Sequence, residues 1–189
     1  MWSLTFEKRL FVALIFFAST VAAIEIAGVR LADQAQLGGA NLSLNGAGVR
    51  SKLFVKVYVG ALYLPKRSQA VSEILQMPGP KRVMMHFLHD EVSQEKLIDA
   101  WNEGFENNQS EEMLTTLRPR IEQFNKLFPT VHQGDVITLD YIPEQGTAVV
   151  INGSEKGEVP GADFNRAVLQ IWLGDSPADK DLKQGLLGQ

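Results

Sequence analysis

The chain has 189 residues, 45% of them hydrophobic and 21% charged, with a formal net charge of −4 and no cysteine. Disulfides, thiolate metal sites and cysteine nucleophiles are therefore excluded. A mildly acidic balance without clustered Lys and Arg argues against sequence-independent nucleic-acid binding, so no nucleic-acid partner is expected.

Lys8 and Arg9 precede an apolar run from Leu10 to Ala18, and the small residues Val21, Ala22 and Ala23 follow. That order predicts a secretory signal peptide over residues 1–23, cut after Ala23. The run is shorter than the ~20 apolar residues of a spanning helix. Residues 24–189 are then expected to form a single domain with no membrane span after cleavage. Export without disulfides fits a bacterial periplasm.

Ile24 to Gly39 reads as a short strand and an irregular approach. Leu53 to Leu64 carries the strongest strand pattern, with Val55, Val57, Val59, Ala61 and Tyr63 on one face. Lys56, Tyr58, Gly60 and Leu62 form the other, mixed face, which has the character of a ligand cleft. Gln69 to Met77 suits a short helix that stops at Pro78-Gly79-Pro80. Lys81 to His89 reads as a strand. Ser93 and Ser110 stand as N-caps of two helices, and Pro119 is expected to kink or split the second near Leu117. Asp135–Ile142 and Thr147–Ile151 pair as a hairpin, and Asn152–Val159 is a turn with an edge strand. Ala162–Leu173 is a helix closed by Gly174, and a last short helix runs from Asp179 to Leu187. Strands grouped with helices predict an α+β fold with a largely antiparallel sheet.

Arg50 stands out at the mouth of the strand, just after Gly46-x-Gly48. Glycines there free the backbone for a tight bend or a close approach. A guanidinium at a cleft edge binds a carboxylate through two charge-assisted hydrogen bonds. The other reading of Arg50 is a strand-end residue paired with a surface Asp or Glu. Strand parity puts Lys56 and Tyr58 on one face. Tyr58 reads as a donor to a bound oxygen or as a core tyrosine, and Lys56 as added positive potential or a snorkelling surface lysine. His86 and His89 point to opposite faces of a strand and His132 lies in a distant polar turn, so no metal site is expected. Gly46-x-Gly48 precedes a strand and is not a dinucleotide fingerprint. There is no nucleophile elbow, and no cofactor is expected.

Asn45-Gly46-Ala47-Gly48-Val49-Arg50, then Lys56, Tyr58 and Ala61-Leu62-Tyr63-Leu64, resemble the chalcone isomerase fold family. Val159-Pro160-Gly161-Ala162-Asp163-Phe164, Ile171-Trp172-Leu173-Gly174-Asp175 and Asp181-Leu182-Lys183 resemble its bacterial chalcone-isomerase-like branch. The resemblance implies an open-faced β-sandwich, a large antiparallel sheet covered by helices with a cleft between the layers. Plant members cyclise chalcones, steering a phenolate with an arginine that corresponds to Arg50. Their strand threonine corresponds here to Tyr58, and their further hydroxyl- and amide-bearing positions to Val92, Asp99 and Ile171, which do not make the same hydrogen bonds. Non-catalytic relatives bind fatty acids through an arginine and a tyrosine, a pair similar to Arg50 and Tyr58. A hairpin turn at Ser51-Lys52 would, however, set Tyr58 about 17 Å along the strand from Arg50.

The expectation is a periplasmic, non-catalytic binder of a small apolar carboxylate such as a fatty acid, with Arg50, Tyr58 and Lys56 at the site. Two alternatives stand beside it. One is a weak isomerase or lyase acting on an unsaturated ketone or acid. The other is an envelope interaction protein without a small ligand, favoured if Trp101, Phe105, Phe124 or Trp172 fill the cleft.

Overall fold

The computed structural model describes residues 23–189. The expected signal peptide lies outside these residues, except for Ala23. That residue opens β1 (Ala23–Ile26), which pairs with β2 (Val29–Ala32) as a small hairpin. A short β3 (Gln34–Leu37) leads into β4 (Ala40–Lys52), a strand of 13 residues. The expected irregular approach is therefore itself sheet, and the glycines before Arg50 lie inside β4.

β4 turns directly into β5 (Val55–Leu64), followed by α1 (Val71–Gln76), β6 (Lys81–Phe87) and a short β7 (Glu91–Val92). Two helices come next, α2 (Gln94–Glu106) and α3 (Glu111–Asn125). The Ser93 and Ser110 hydroxyls accept from the backbone N–H groups of Lys96 and Met113, as the spacing predicts. Pro119 does not split α3. Leu117 and Phe124, on either side of it, are both fully buried, and that packing holds the helix as one element. β8 (Val131–His132) pairs with β7. Strands β9 (Val136–Ile142), β10 (Gly146–Ile151) and β11 (Ser154–Val159) precede α4 (Ala162–Leu173) and α5 (Lys180–Leu186).

The main sheet has seven strands, in the order β11-β10-β9-β6-β5-β4-β3, and every neighbour is antiparallel. It is a curled sheet with helices over one face, the α+β arrangement expected. The alternation along β5 separates two cores. Tyr58, Leu62 and Leu64 join the helix-side cluster, whereas Val59, Ala61 and Tyr63 pack with Val29 and Leu31 of the β1–β2 hairpin.

The Gly46-x-Gly48 motif permits a close backbone approach. A Cβ on Gly46 would collide with the carbonyl of Gly185 and lie 2.8 Å from that of Leu186, both backbone atoms of α5. A Cβ on Gly185 would lie 2.6 Å from the Ala47 carbonyl, so the contact is intolerant from both sides. Asn45 fastens the same junction: its amide donates to the Leu186 carbonyl (2.7 Å) and its oxygen accepts from the Ser68 N–H (2.7 Å).

At the other end of the helical layer, Arg120 donates two bonds of 2.7 Å to the Asp163 carboxylate at the start of α4. They hold the Asp163 carboxyl down at about 2.

Two predictions follow from these contacts. Gly46→Ala should cost about 3 kcal/mol or more, because backbone and not a flexible side chain must move; urea denaturation measures it, and a loss below about 1 kcal/mol would refute the close-approach argument. A carboxyl whose folded pKa is depressed stabilises the fold above its unfolded pKa and loses that contribution as pH falls through the folded value. Between pH 3.8 and about 2, the parent should lose stability that Asp163→Asn does not. Because the side chain is 36% exposed, the difference is discounted to about 1 kcal/mol, readable from denaturation midpoints at pH 5 and pH 2.

Candidate functional site

The β4–β5 hairpin carries two irregularities, and both determine the site. Leu44 pairs with Tyr63 while Gly46 pairs with Leu62, leaving Asn45 as an extra residue on β4. Arg50 pairs with Tyr58 while Ser51 pairs with Lys56, leaving Val57 as an extra residue on β5. Such a bulge bends a strand and re-aims its side chains.

Arg50 and Tyr58 thus face each other in register on the helix side, correcting the separation of about 17 Å that a turn at Ser51-Lys52 implies. The turn lies later, at Leu53-Phe54, since Lys52 pairs with Val55. The Arg50 guanidinium carbon lies 5.7 Å from the centroid of the Tyr58 ring, within cation–π range. The bulge also corrects the expected shared face of Lys56 and Tyr58. Val57 takes the groove side, and Lys56, opposite Ser51, is turned to the other face and exposed.

Tyr58 is buried, and its hydroxyl accepts from the indole N–H of Trp172 at 2.8 Å. Its own proton is donated to no described residue. Burial pushes the phenol above its ordinary value; the positive charge of Arg50 and the Trp172 bond pull the other way without prevailing, while Asp179 reinforces the rise. Tyr58 is therefore a neutral donor at physiological pH. Arg50 forms no ion pair among the described residues, so the surface-pair reading of this residue is not what the structure shows. Its Nε is buried without a partner, as is the Nε1 of Trp101.

Two spaces meet at Arg50. A small hollow of about 20 Å³ is lined by Arg50, Tyr58, Leu97, Trp101, Ile171 and Ala178, among others. An open groove of about 430 Å³ runs from Arg50 to the hairpin end, between Lys52, Leu53, Val55 and Val57 on one wall and Val92 and Ala100 on the other. Lys96, Asp99 and Glu103 of α2 edge the second wall. Ala178 is set by the start of α5. Asp179 caps that helix through the Leu182 N–H (2.9 Å), and its second oxygen accepts from the Ser51 N–H (3.0 Å).

Deeper between sheet and helices the interior is occupied by aromatic side chains. Trp101, Phe105, Phe124, Phe128, Phe164 and Trp172 are all buried there. Their rings meet at centroid distances such as 4.7 Å for Phe124–Phe128 and 5.7 Å for Trp101–Trp172. The expected cleft between the layers is thus open only at its rim. Sequence reasoning missed two contributors, Trp101 as a donor and Asp179 as the residue that ties α5 to the hairpin. An Asp three residues before Leu182 is a cap signal, but nothing in the sequence tells where its second oxygen goes.

Residues 23–188 match the family described as chalcone isomerase-like, and the chain belongs to that family. No curated protein matches it. Among solved structures, the Arabidopsis thaliana fatty-acid binding protein is similar at 14% sequence identity, with a TM-score of 0.71, over 88% of this chain and 96% of that one. At that identity the likeness establishes the fold.

Tyr58→Phe should strand the buried Trp172 N–H and cost about 1–3 kcal/mol. An unchanged denaturation midpoint would show that the Trp172–Tyr58 bond does not support the site.

Proposed function

We propose that the chain is an exported, non-catalytic binder of a small apolar carboxylate such as a fatty acid, with its head group at Arg50 and its tail along the groove. One observation carries this reading: three residues with donors that lack acceptors line one small hollow. Arg50 Nε and Trp101 Nε1 have no partner, and the Tyr58 proton has none either. Buried donors left unpaired cost free energy, and a guest that only accepts restores it. A carboxylate is such a guest.

The sizes of the two spaces divide the ligand. The hollow of about 20 Å³ takes one oxygen-sized atom. The groove of about 430 Å³ takes a short chain, against Val55, Val57, Val92 and Ala100. Asp99 and Glu103 on the opposite wall repel a carboxylate and bias it toward the Arg50 wall. The fold neighbour, described as a fatty-acid binding protein, supports the ligand class by analogy. Export rests on the charge and apolar pattern of residues 1–23. With Lys56 turned away, Lys52 and Lys96 are the further cations beside the groove.

The filled interior favours a second reading, an interaction protein without a small ligand. The two separate on one experiment, calorimetric titration with dodecanoate and native mass spectrometry of the freshly purified chain. The binding reading expects a bound fatty acid, with affinity falling about tenfold or more in Arg50→Ala through loss of charge-assisted bonds. The melting temperature should hardly move, since Arg50 bonds no described residue. If the parent retains no fatty acid, the interaction reading replaces this one; if Arg50→Ala unfolds the domain, Arg50 is structural.

A further inference from the structure

The tip of the β4–β5 hairpin obeys a different logic from the rest of the fold. Lys52 pairs with Val55, so Leu53 and Phe54 form a two-residue turn, with φ values of 48° and 69°. A turn with positive φ at both positions favours Asn-Gly, because a Cβ is disfavoured there and large side chains most of all. Two bulky apolar residues occupy it. Leu53 is 85% exposed, Phe54 is fully exposed and Val55 is 45% exposed. Neither Leu53 nor Phe54 belongs to a core cluster. The fold gains nothing from this choice, which points to a purpose outside the fold.

Shape and charge select the partner. Three consecutive apolar side chains at the apex of a hairpin make a narrow wedge. A specific protein interface needs ~800 Å² on each partner, whereas a wedge of this kind suits the acyl boundary of a lipid bilayer. Lys52 shares the groove face with Arg50, and the Val57 bulge turns Lys56 to the opposite face, so one cation stands on each side of the wedge. Of the acidic residues edging the groove, Glu91 lies 3.4 Å from the His132 imidazole. The apex also forms the groove mouth, which Leu53 and Val55 line.

We propose that this apex docks on an anionic membrane surface, inserting Leu53 and Phe54 among the acyl chains with Lys52 and Lys56 at the phosphate level, and that docking opens the groove mouth to the lipid phase. The last clause rests on the binding reading above; the docking itself does not.

The chain lacks cysteine, so Val55→Cys accepts a single environment-sensitive fluorophore in the full chain. The measurement is quenching by lipids with a doxyl group near the head, in phosphatidylcholine vesicles with and without phosphatidylglycerol. A label at Glu155→Cys, on the far edge strand β11, reports contact made elsewhere. The Val55 label should be quenched and the Glu155 label should not. Leu53→Asn with Phe54→Gly should weaken the partition about tenfold or more while melting no lower than the parent, because it supplies the residues the turn favours. Lys52→Gln and Lys56→Gln should each weaken it roughly fivefold, and only with phosphatidylglycerol present. Arg50→Ala should leave quenching intact. A parent chain that is quenched but retains no fatty acid removes the binding reading and leaves docking standing. Docking is overturned if the Val55 label stays unquenched or if quenching survives Leu53→Asn with Phe54→Gly. It is equally overturned if the label responds to protein concentration without vesicles, which would make the apex a contact between copies of the chain.

Discussion

Everything at this site depends on α5 lying with its backbone against the backbone of β4. Gly46 and Gly185 allow that approach, and Asn45 bolts it through the Leu186 carbonyl. The helix then starts where Asp179 reaches the Ser51 N–H, two residues short of the turn at Leu53-Phe54. Ala178 closes the hollow from that side. The two bulges belong to the same constraint. One extra residue on β4 at Asn45 and one on β5 at Val57 enclose an uninterrupted ladder from Gly46–Leu62 to Arg50–Tyr58. Inside that ladder the glycines face α5, and Arg50 and Tyr58 face the open end of the helical layer.

The electrostatics of the site follow from burial. Desolvation keeps Tyr58 protonated, so the phenol remains a donor beside a cation that would otherwise encourage its ionisation. A guanidinium over an aromatic ring is partly compensated by the ring quadrupole, although it still lacks a counter-charge. Unpaired donors of this kind cost about 1–3 kcal/mol each. The aromatic cluster behind them offsets that, since edge-to-face pairs such as Trp101–Phe124 and Phe124–Phe128 contribute about 0.5–1.5 kcal/mol beyond their buried area. The filled interior and the open donors are thus two sides of one arrangement, in which rigid packing holds the donors in place without an acceptor.

Much of the fold was legible in the sequence because its signals are local. Ser93 and Ser110 announce their helices, Gly174 closes α4 as expected, and Pro143 to Gly146 marks the β9–β10 turn. The β4–β5 turn was not legible, for the reason that makes it interesting. Leu53-Phe54 carries no Gly, Asn or Pro, so alternation absorbs it into a strand. Misplacing the turn moved Arg50 away from Tyr58. The bulge at Val57 then reversed the parity of Lys56, because a β-branched residue bears no mark of being the extra one. Arg50 itself was visible as a cation at a strand mouth. Trp101 is visible as a core or cleft-filling indole but not as an open donor, since a buried side chain missing one partner looks from sequence like any other core indole.

The proposed binding reading assigns head and tail of the ligand to different parts of the geometry. One head-group oxygen would enter the hollow lined from β4, β5, β6, α2, α4 and the start of α5, whose volume admits an atom and little more. The tail lies in a groove open along one side, so burial of its methylenes is incomplete and each adds less than the ~0.8 kcal/mol of a fully buried CH₂. Affinity in such a site comes mainly from the charge-assisted bonds at Arg50, and discrimination between chain lengths is weak. A tail longer than the groove runs past Val55 and Leu53 toward the apex, where two exposed apolar side chains extend the same surface. On that reading, the walls of the protein set no limit on the length of the ligand, because the groove is open at the hairpin tip.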